Sequence, residues 1–253
     1  MTEGNDRPNE PGRSNGDTSP LVANAMALGV ELTPEQVGRF ATYERELLDW
    51  NRRSNLTAIT EPAAVQVKHF ADSIACLLAL RDVPAGARGL DVGAGAGFPG
   101  LPLKIVRPDL DLTLLEATHK KTLFLEHVRA ALDLADVRVV TARAEDAARD
   151  PAHREAYDIV LARAVAELRV LAEYCLPFAK VGGRLIAQKK AGTGPEIADA
   201  GRAITILGGR LLPREAYRLP DLEDERWLIG VLKTRPTPSI YPRRAGLPAK
   251  NPL

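Results

Sequence analysis

Residues 90–101 read LDVGAGAGFPGL, and this stretch gives the strongest indication of the fold. An aliphatic run ends at Asp91, and four glycines follow within eight positions, at Gly93, Gly95, Gly97 and Gly100. Glycine lets the backbone turn sharply and approach a ligand closely. In an open parallel sheet, ligands bind beyond the carboxyl ends of the strands. The stretch therefore predicts a strand, a ligand-binding turn, and a helix that begins near Phe98 with free N–H groups.

Around this stretch, short aliphatic runs alternate with segments of helical periodicity. Such alternation predicts a parallel sheet with helices on both faces. Only the acidic link LPDLEDE separates the last two runs, so these two strands should form an antiparallel hairpin. The sequence therefore predicts an α/β, Rossmann-like fold with a seven-stranded mixed sheet, whose strands lie near 88–92, 111–116, 136–141, 157–162, 183–188, 211–218 and 226–233.

The chain before the sheet is predicted to be helical after a leader. Residues 2–20 contain no aliphatic or aromatic side chain, a composition too polar to form a core, so we predict a disordered leader over 1–20. Thr33 and Pro34 form a helix start signal, and Thr60 and Pro62 repeat it for a helix that reaches about Leu80. The predicted organisation is a leader (1–20), a helical extension (21–82), a sheet domain (83–234) and a basic, Pro-rich tail (235–253).

Composition limits the classes of function. The chain has 253 residues, 45% of them hydrophobic, and a net charge of +1, so positive charge for a polyanionic partner must be local. Cys76 and Cys175 have no metal-ligand spacing, and we predict neither a disulfide nor a metal site. The apolar stretches fall short of the roughly 20 residues of a membrane span, and no signal peptide is recognisable. We expect a cytoplasmic protein that does not contact membranes.

Two cofactors compete for the glycine turn. Gly95, Gly97 and Gly100 satisfy the G-x-G-x-x-G pattern of a dinucleotide site, although this frame starts several residues past the strand. An acidic residue, Asp91, followed by alternating glycines at Gly93, Gly95 and Gly97, suits the cationic amino group of S-adenosylmethionine better than an anionic pyrophosphate. The sequence therefore favours S-adenosylmethionine.

Candidate cofactor ligands follow three later strands. Glu116 ends the second strand, where a carboxylate can accept both ribose hydroxyls of either cofactor. The Ala144 backbone and the Glu145 side chain follow the third strand and could receive an adenine edge, although an acid there also suits a helix N-terminus. Arg163 stands at the end of the fourth strand among apolar neighbours, which favours a functional arginine over a solvated one.

Several segments together carry a family resemblance, in order and spacing: WNRRSNLTAI (50–59), VKHFADSI (67–74), the glycine stretch with its following helix and strand, VLARAVAEL (160–168) and YPRRAGLPAKNPL (241–253). Over roughly residues 33–253 the chain resembles the glucose-inhibited division protein B family, the guanine-N7 methyltransferases of small-subunit ribosomal RNA. The resemblance implies a class I S-adenosylmethionine-dependent methyltransferase fold with a helical N-terminal extension. It also implies methylation of one guanine in the decoding-region loop.

The resemblance assigns roles to individual residues. Gly93 and Phe98 would contact the methionine side of the cofactor, and Ala144 and Glu145 the adenine. Arg163 would be the strand-four arginine. Asn55, His69 and Asp72 match family positions whose role stays open between substrate contact and structure.

A second group of residues is expected at the RNA. Lys189 resembles the lysine after the fifth strand, but Gln188 and Lys190 depart from the family's Leu-Lys-Gly, so either Lys189 or Lys190 could face the site. Basic residues of the HKKTLFL segment and the tail are candidate RNA contacts, which gives the set Lys120, Lys121, Lys189, Arg243 and Arg244.

Guanine N7 has an in-plane lone pair and no proton, so its methylation needs alignment and no general base. We therefore predict no catalytic acid or base, with Arg163 and Lys189 as orienting candidates, and a monomer acting on ribosomal RNA or a ribosomal particle. Three alternatives stay open at this point: a dinucleotide oxidoreductase, a methyltransferase of small molecules, and an RNA-binding module without activity.

Overall fold

The computed structural model describes residues 19–163 and 165–253, so the predicted leader lies almost wholly outside the described residues. Three helical segments come first: α1 (Pro20–Ala27), α2 (Pro34–Ser54) and α3 (Pro62–Leu80). The Ser19 side chain caps α1, so Ser19 and Pro20 belong to this helix. The start predicted for α2 is confirmed, and the capping box of Thr33 and Gln36 is present. Helix α3 begins at Pro62 as predicted, but its cap is the Glu61 carboxylate and not Thr60.

The sheet domain follows with alternating strands and helices. Its elements are β1 (Arg88–Val92), α4 (Gly100–Val106), β2 (Asp111–Glu116), α5 (His119–Ala131), β3 (Arg138–Thr141), α6 (Ala144–Ala147), β4 (Tyr157–Arg163), α7 (Leu168–Cys175), β5 (Ala179–Lys190), α8 (Gly194–Ile206), β6 (Gly209–Leu211), β7 (Glu215–Tyr217), β8 (Arg226–Lys233) and α9 (Leu247–Lys250). The strand order is β3-β2-β1-β4-β5-β8-β6, and β7 also pairs with β8. Strands β1 to β5 are parallel, and β8 is antiparallel to β5, β6 and β7.

Within residues 19–163 and 165–253 the sheet has eight strands, where seven were predicted. The segment expected to be one strand near 211–218 is divided into β6 and β7, which pair with different parts of β8. Pro213 lies in the interruption, and proline lacks the N–H that a continuous ladder needs. The antiparallel hairpin itself is confirmed, because β7 and β8 are joined by the acidic link.

The hydrophobic core has two parts, one on each face of the sheet. The three N-terminal segments pack on one face, where the rings of Phe40 and Tyr43 each lie 5.1 Å from the ring of Phe70. Helices α7 and α8 cover the other face. Strand β1 lies between β2 and β4. The strands that follow β1 are added on one side of it up to β3, and from β4 onward they are added on its other side. A ligand crevice is expected at such a switch point.

Helix α3 has the length and hydropathy of a membrane span. Only shorter apolar stretches were recognised in the sequence. In the folded chain, however, 61% of its apolar window is buried inside the protein. Phe70 and Ile74 on this helix are fully buried in the core. Its apolar residues are therefore used in packing against the sheet.

Candidate active site

A cavity of about 470 Å³ lies at the carboxyl ends of β1, β2, β3 and β4. Small-molecule sites typically have volumes of about 300–1,000 Å³. The walls comprise the turn after β1, the end of β2, the first residues of α6 and the end of β4. The cavity therefore lies at the switch point of the sheet, where the glycine stretch predicted a ligand.

The glycines of the turn have two different roles. Gly93 and Gly95 line the cavity with φ angles of +71° and +61°. A Cβ on Gly97 would lie 2.5 Å from both Leu101 Cδ1 and the Tyr43 hydroxyl, and one on Gly100 would lie 2.8 Å from Leu114 Cδ2. Gly95 therefore exposes the backbone to a ligand, whereas Gly97 and Gly100 permit internal packing. A Cβ on Gly93 would lie 3.0 Å from Val165 Cγ2. Gly97 is not among the residues that line the cavity, and the cofactor contact expected of it stays a prediction.

Asp91 lies beneath the turn. Its side chain is fully buried and its Oδ2 accepts a hydrogen bond of 2.8 Å from the Gly100 N–H. Oδ1 has no partner within the part of the chain that the structure describes. Burial raises the pKa of Asp91 to about 7, an effect that the Gly100 hydrogen bond and the Arg163 charge only partly oppose. Asp91 thus holds the first turn of α4 in place.

Glu116 joins the turn to the next strand. Its Oε2 accepts from the Gly95 N–H at 3.0 Å, and its Oε1 accepts from the Thr118 N–H at 2.8 Å. The residue also lines the cavity. Because a carboxylate oxygen can accept more than one hydrogen bond, both oxygens keep capacity for ribose hydroxyls. The position predicted for Glu116 is thus compatible with its predicted role.

Ala144 and Glu145 line the opposite end of the cavity, beside Tyr174. The Glu145 carboxylate is buried, and its Oε1 accepts a hydrogen bond of 2.8 Å from the Gly246 N–H of the tail. The side chain expected to receive an adenine edge is therefore engaged by the C-terminal segment. This contact could not be foreseen, because 101 residues separate the two positions.

Arg163 forms the centre of a polar cluster at the edge of this cavity. Its guanidinium donates to His69 Nδ1 at 3.1 Å and to Asp72 Oδ2 at 3.4 Å. Its Cζ lies 5.0 Å from the Phe98 ring centroid, a cation–π distance, and the His69 ring stacks on Phe98 at 4.4 Å. His69 and Asp72, whose roles the sequence left open, are thus partners of Arg163. Asn55 instead ends α2 in a left-handed conformation.

His69 is neutral in this cluster. Burial lowers the pKa of His69 to about 3, and the charge of Arg163 adds to the effect. Since a guanidinium only donates, Nδ1 must accept from Arg163 and the proton must reside on Nε2. Nε2 lies 2.8 Å from Thr57 Oγ1, which accepts a hydrogen bond from the Nε2–H. The imidazole therefore places no positive charge beside the cavity.

The two lysines after β5 differ in environment. Lys189 is mostly buried, and its Nζ donates to Ala166 O and to Glu196 Oε1, both at 2.6 Å. Lys190 is exposed and pairs with Asp224 at 3.2 Å. Both residues line a second cavity, of about 750 Å³, that adjoins the first. Lys189 is thus the inward-facing lysine of the pair, although its ammonium already has two partners.

The basic candidates of α5 and the tail are also divided. Lys120 is exposed, and Lys121 borders the first cavity. Arg243 forms a two-pronged ion pair with the buried Glu173, at 2.6 and 2.9 Å, whereas Arg244 is exposed. The RNA contact predicted for Arg243 is not tested by this geometry, but its guanidinium is already held by a protein carboxylate.

Val37, Phe40, Tyr43, Leu47 and Trp50 recur at spacings of three and four, a pattern that predicts one apolar face on α2, and Tyr43 is fully buried. Its hydroxyl also donates to Ala96 O within the glycine turn, and its ring stacks on Phe98 at 5.4 Å. The N-terminal extension therefore supports the turn directly. The helical spacing of Tyr43 predicted burial, but no sequence signal indicated the hydroxyl's partner.

The fold and the site define a class I S-adenosylmethionine-dependent methyltransferase. A solved structure of a variant of the protein MtNAS in complex with S-adenosylmethionine matches the fold with a TM-score of 0.53 and 15% identity, covering 79% of this chain and 76% of that one. Gly95 leaves its part of the cavity wall free of a side chain, and Glu116 provides acceptors, so these residues fit this cofactor.

The particular family follows from closer relatives. The family model described as rRNA small subunit methyltransferase G matches residues 36–218. A protein of that name from Roseiflexus sp. (strain RS-1) is 49% identical over 233 residues, covering 92% of this chain and 98% of the relative. Its namesake from Symbiobacterium thermophilum is 52% identical over 238 residues, covering 92% and 96%. The chain belongs to this family, which confirms the resemblance, the enzyme class and S-adenosylmethionine as the cofactor.

Proposed function

We propose that this enzyme methylates N7 of one guanine in the decoding-region loop of small-subunit ribosomal RNA. The observation that carries the proposal is the pair of adjoining cavities, one bordered by the glycine turn and the other polar, with His69 and Arg163 lining both. A cofactor in the first and a base in the second would meet at these two residues. Family membership supports the choice of RNA as substrate.

S-adenosylmethionine, when bound, supplies a methyl group on a positively charged sulfur. The protein's task is alignment, since N7 attacks with a lone pair and releases no proton. Neutral His69 adds no charge that would repel the sulfonium, and Arg163 is balanced by Asp72. Arg163 lines both cavities and can therefore help to orient the base beside the cofactor. No residue is required as a general base in this scheme.

For the RNA backbone we propose a contact surface that comprises Lys120, Lys121 and Arg244. Lys120 and Arg244 are exposed, and Lys121 lies at the rim of the first cavity. Lys189 would act nearer the base, and Arg243 mainly by fixing the tail. Phosphate contacts of this kind position a nucleic acid without reading its sequence. N7 lies in the deep groove of A-form RNA, so the target should be unpaired. We further propose a cytoplasmic monomer.

The test is transfer of labelled methyl from S-adenosylmethionine to purified small-subunit RNA, to the assembled small subunit, and to large-subunit RNA. We expect label in a small-subunit substrate and none in the large-subunit RNA. The Arg163→Ala variant should lose transfer, whereas Arg210→Ala, at an exposed position on β6 that lines neither cavity, should retain it. Equal labelling of small-subunit and large-subunit RNA, or no labelling of any of the three substrates, would refute the proposal.

A further inference from the structure

The second cavity has the polarity of a base-recognition site. It is walled by α3, the carboxyl end of β5, the start of β8 and the acidic link before β8. Acidic and basic side chains line it in nearly equal number. A phosphate would require an excess of basic groups, whereas a neutral base with donors and acceptors suits such a balanced lining. The cavity is therefore better suited to a nucleobase than to the RNA backbone.

Two buried polar atoms in this wall lack partners. The Gln188 side chain is 5% exposed, and its Nε2 donates to Asp72 O and to the Tyr217 hydroxyl, both at 2.5 Å. These contacts fix the orientation of the amide, and its Oε1 has no partner among the residues described. Arg226 Nε is likewise buried and unpaired there, at 4.0 Å from Asp72 Oδ1.

Unpaired buried polar atoms are costly, at about 1–3 kcal/mol each, and such atoms in a native fold call for an explanation. Here one is an acceptor, Gln188 Oε1, and the other a donor, the Arg226 Nε–H. Both residues line the same cavity. A ligand that presents one donor beside one acceptor would satisfy both atoms.

We infer that Gln188 and Arg226 are specificity residues that recognise the Watson–Crick edge of the target guanine in the second cavity. Arg226 donates to O6 and Gln188 accepts from N1–H, which leaves N7 free to face the His69 and Arg163 junction. Adenine in the same placement would set an amino donor against Arg226 and the N1 acceptor against Gln188. This inference rests on the proposed function and extends it to the choice of base. Since the family usually has leucine at the position of Gln188, the Gln188 contact is inferred for this chain and not for the family.

The first experiment compares variants by steady-state methylation of small-subunit RNA and by calorimetric binding of S-adenosylmethionine. We expect Gln188→Leu and Arg226→Lys to lower kcat/KM for RNA by about tenfold or more, with cofactor affinity within about twofold of wild type. Tyr217→Phe, which removes a hydroxyl bonded to Gln188 but not part of the cavity wall, should have a smaller effect. Arg210→Ala, at an exposed position on β6 outside both cavity walls, is the surface control.

Variants with wild-type kcat/KM would overturn the inference, as would an equal loss of cofactor affinity. If Tyr217→Phe matched Gln188→Leu, the hydrogen-bond network alone would explain the effect, and the inference would again fail. Thermal unfolding of each variant shows whether a loss of activity reflects misfolding.

The second experiment changes the RNA and leaves the protein intact. Substrates carry guanine, hypoxanthine or 2-aminopurine at the methylated position. Hypoxanthine retains O6 and N1–H and should be methylated within about threefold of guanine. 2-Aminopurine retains N7 but lacks O6 and N1–H, so its methylation should be slower by on the order of 100-fold. Equal rates for guanine and 2-aminopurine would refute base recognition by this pair. Absence of methylation of the guanine RNA would instead refute the proposed function.

Discussion

The glycines of the turn after β1 show how one residue type meets different requirements. Gly95 has φ +61°, and a Cβ there would have only Gly93 O within 4 Å, at 3.9 Å. Gly97 has φ +98°, and a Cβ there would overlap Leu101 and the Tyr43 hydroxyl. The space beside Gly95 is thus open to a ligand, whereas the space beside Gly97 is filled by side chains of the protein.

The matched variants Gly95→Ala and Gly97→Ala should separate binding from stability. Gly97→Ala should lower the free energy of unfolding by about 2–4 kcal/mol through overpacking and backbone strain. Gly95→Ala should cost only about 1–2 kcal/mol for its left-handed backbone, yet weaken S-adenosylmethionine binding. Urea unfolding and calorimetry measure the two effects. Cofactor affinity unchanged in Gly95→Ala would show that the ligand does not contact this turn.

His69 should make stability depend on pH. Its pKa is about 3 in the folded protein and about 6.5 when unfolded, so only the unfolded chain binds a proton between these values. The contribution of His69 to the free energy of unfolding is therefore complete above pH 6.5 and falls as the pH is lowered towards 3. Asp91, whose pKa is raised to about 7, has the opposite effect: its contribution to the free energy of unfolding falls as the pH rises towards 7.

The difference between wild type and His69→Gln isolates the histidine from Asp91. Urea unfolding at pH 7.5 and 5.5 should show a loss of stability in wild type relative to the variant, of at most about 1.4 kcal/mol per pH unit. Ring nitrogen NMR should show a proton on Nε2 across this range. A His69 that titrates near pH 6.5 would contradict the assignment.

Among the elements, the C-terminal segment departs most from what its composition suggested. A basic, Pro-rich sequence indicated either a solvated tail or an RNA contact. In the structure Arg149 donates to Pro242 O and Arg154 donates to Tyr241 O, while Glu173 holds Arg243. These partners come from segments far away in sequence, so no local pattern could have predicted them.

The adjacent arginines of this segment should respond differently to replacement. Arg243→Ala removes the charge partner of the buried Glu173, which keeps only the main-chain N–H of residue 243, and should cost about 3–5 kcal/mol of stability. Arg244→Ala should leave stability unchanged and reduce the slope of log affinity for RNA against log salt by about 0.7–0.9, the value for one phosphate contact. Thermal unfolding and salt titrations of RNA binding provide the comparison. A reduced salt slope in Arg243→Ala, with a loss of stability in Arg244→Ala, would assign the RNA contact to Arg243.

At the scale of the whole molecule, the sheet order places the end of β1 beside the ends of β2 and β4, which brings Gly93, Glu116 and Arg163 to one cavity. The alternation of strands and helices, and the site at the first turn, were predictable because both depend on local periodicity and glycine placement. The division between β6 and β7 was less predictable, since Pro213 was its only signal in the sequence. The pairing of Glu145 with Gly246 and of Arg163 with His69 depends on tertiary contacts.

The N-terminal boundary gives a whole-chain prediction. A chain that starts at Ser19 should unfold at the wild-type temperature, because the cap of α1 is retained. A chain that starts at Val30 loses the buried Leu21 and the Asn24 hydrogen bond to Asp221, so it should unfold several degrees lower. Thermal unfolding of both chains is the measurement. Equal unfolding temperatures would mean that α1 contributes no stability.

The central claim is methyl transfer to guanine N7, and nucleoside analysis of the product RNA tests it most directly. Small-subunit RNA is methylated by the purified enzyme with isotopically labelled S-adenosylmethionine, digested to nucleosides and resolved by mass spectrometry against standards. The account predicts that the label is found in 7-methylguanosine, at one position in the decoding-region loop. Label in another methylated nucleoside, or spread over many guanosines, would contradict it.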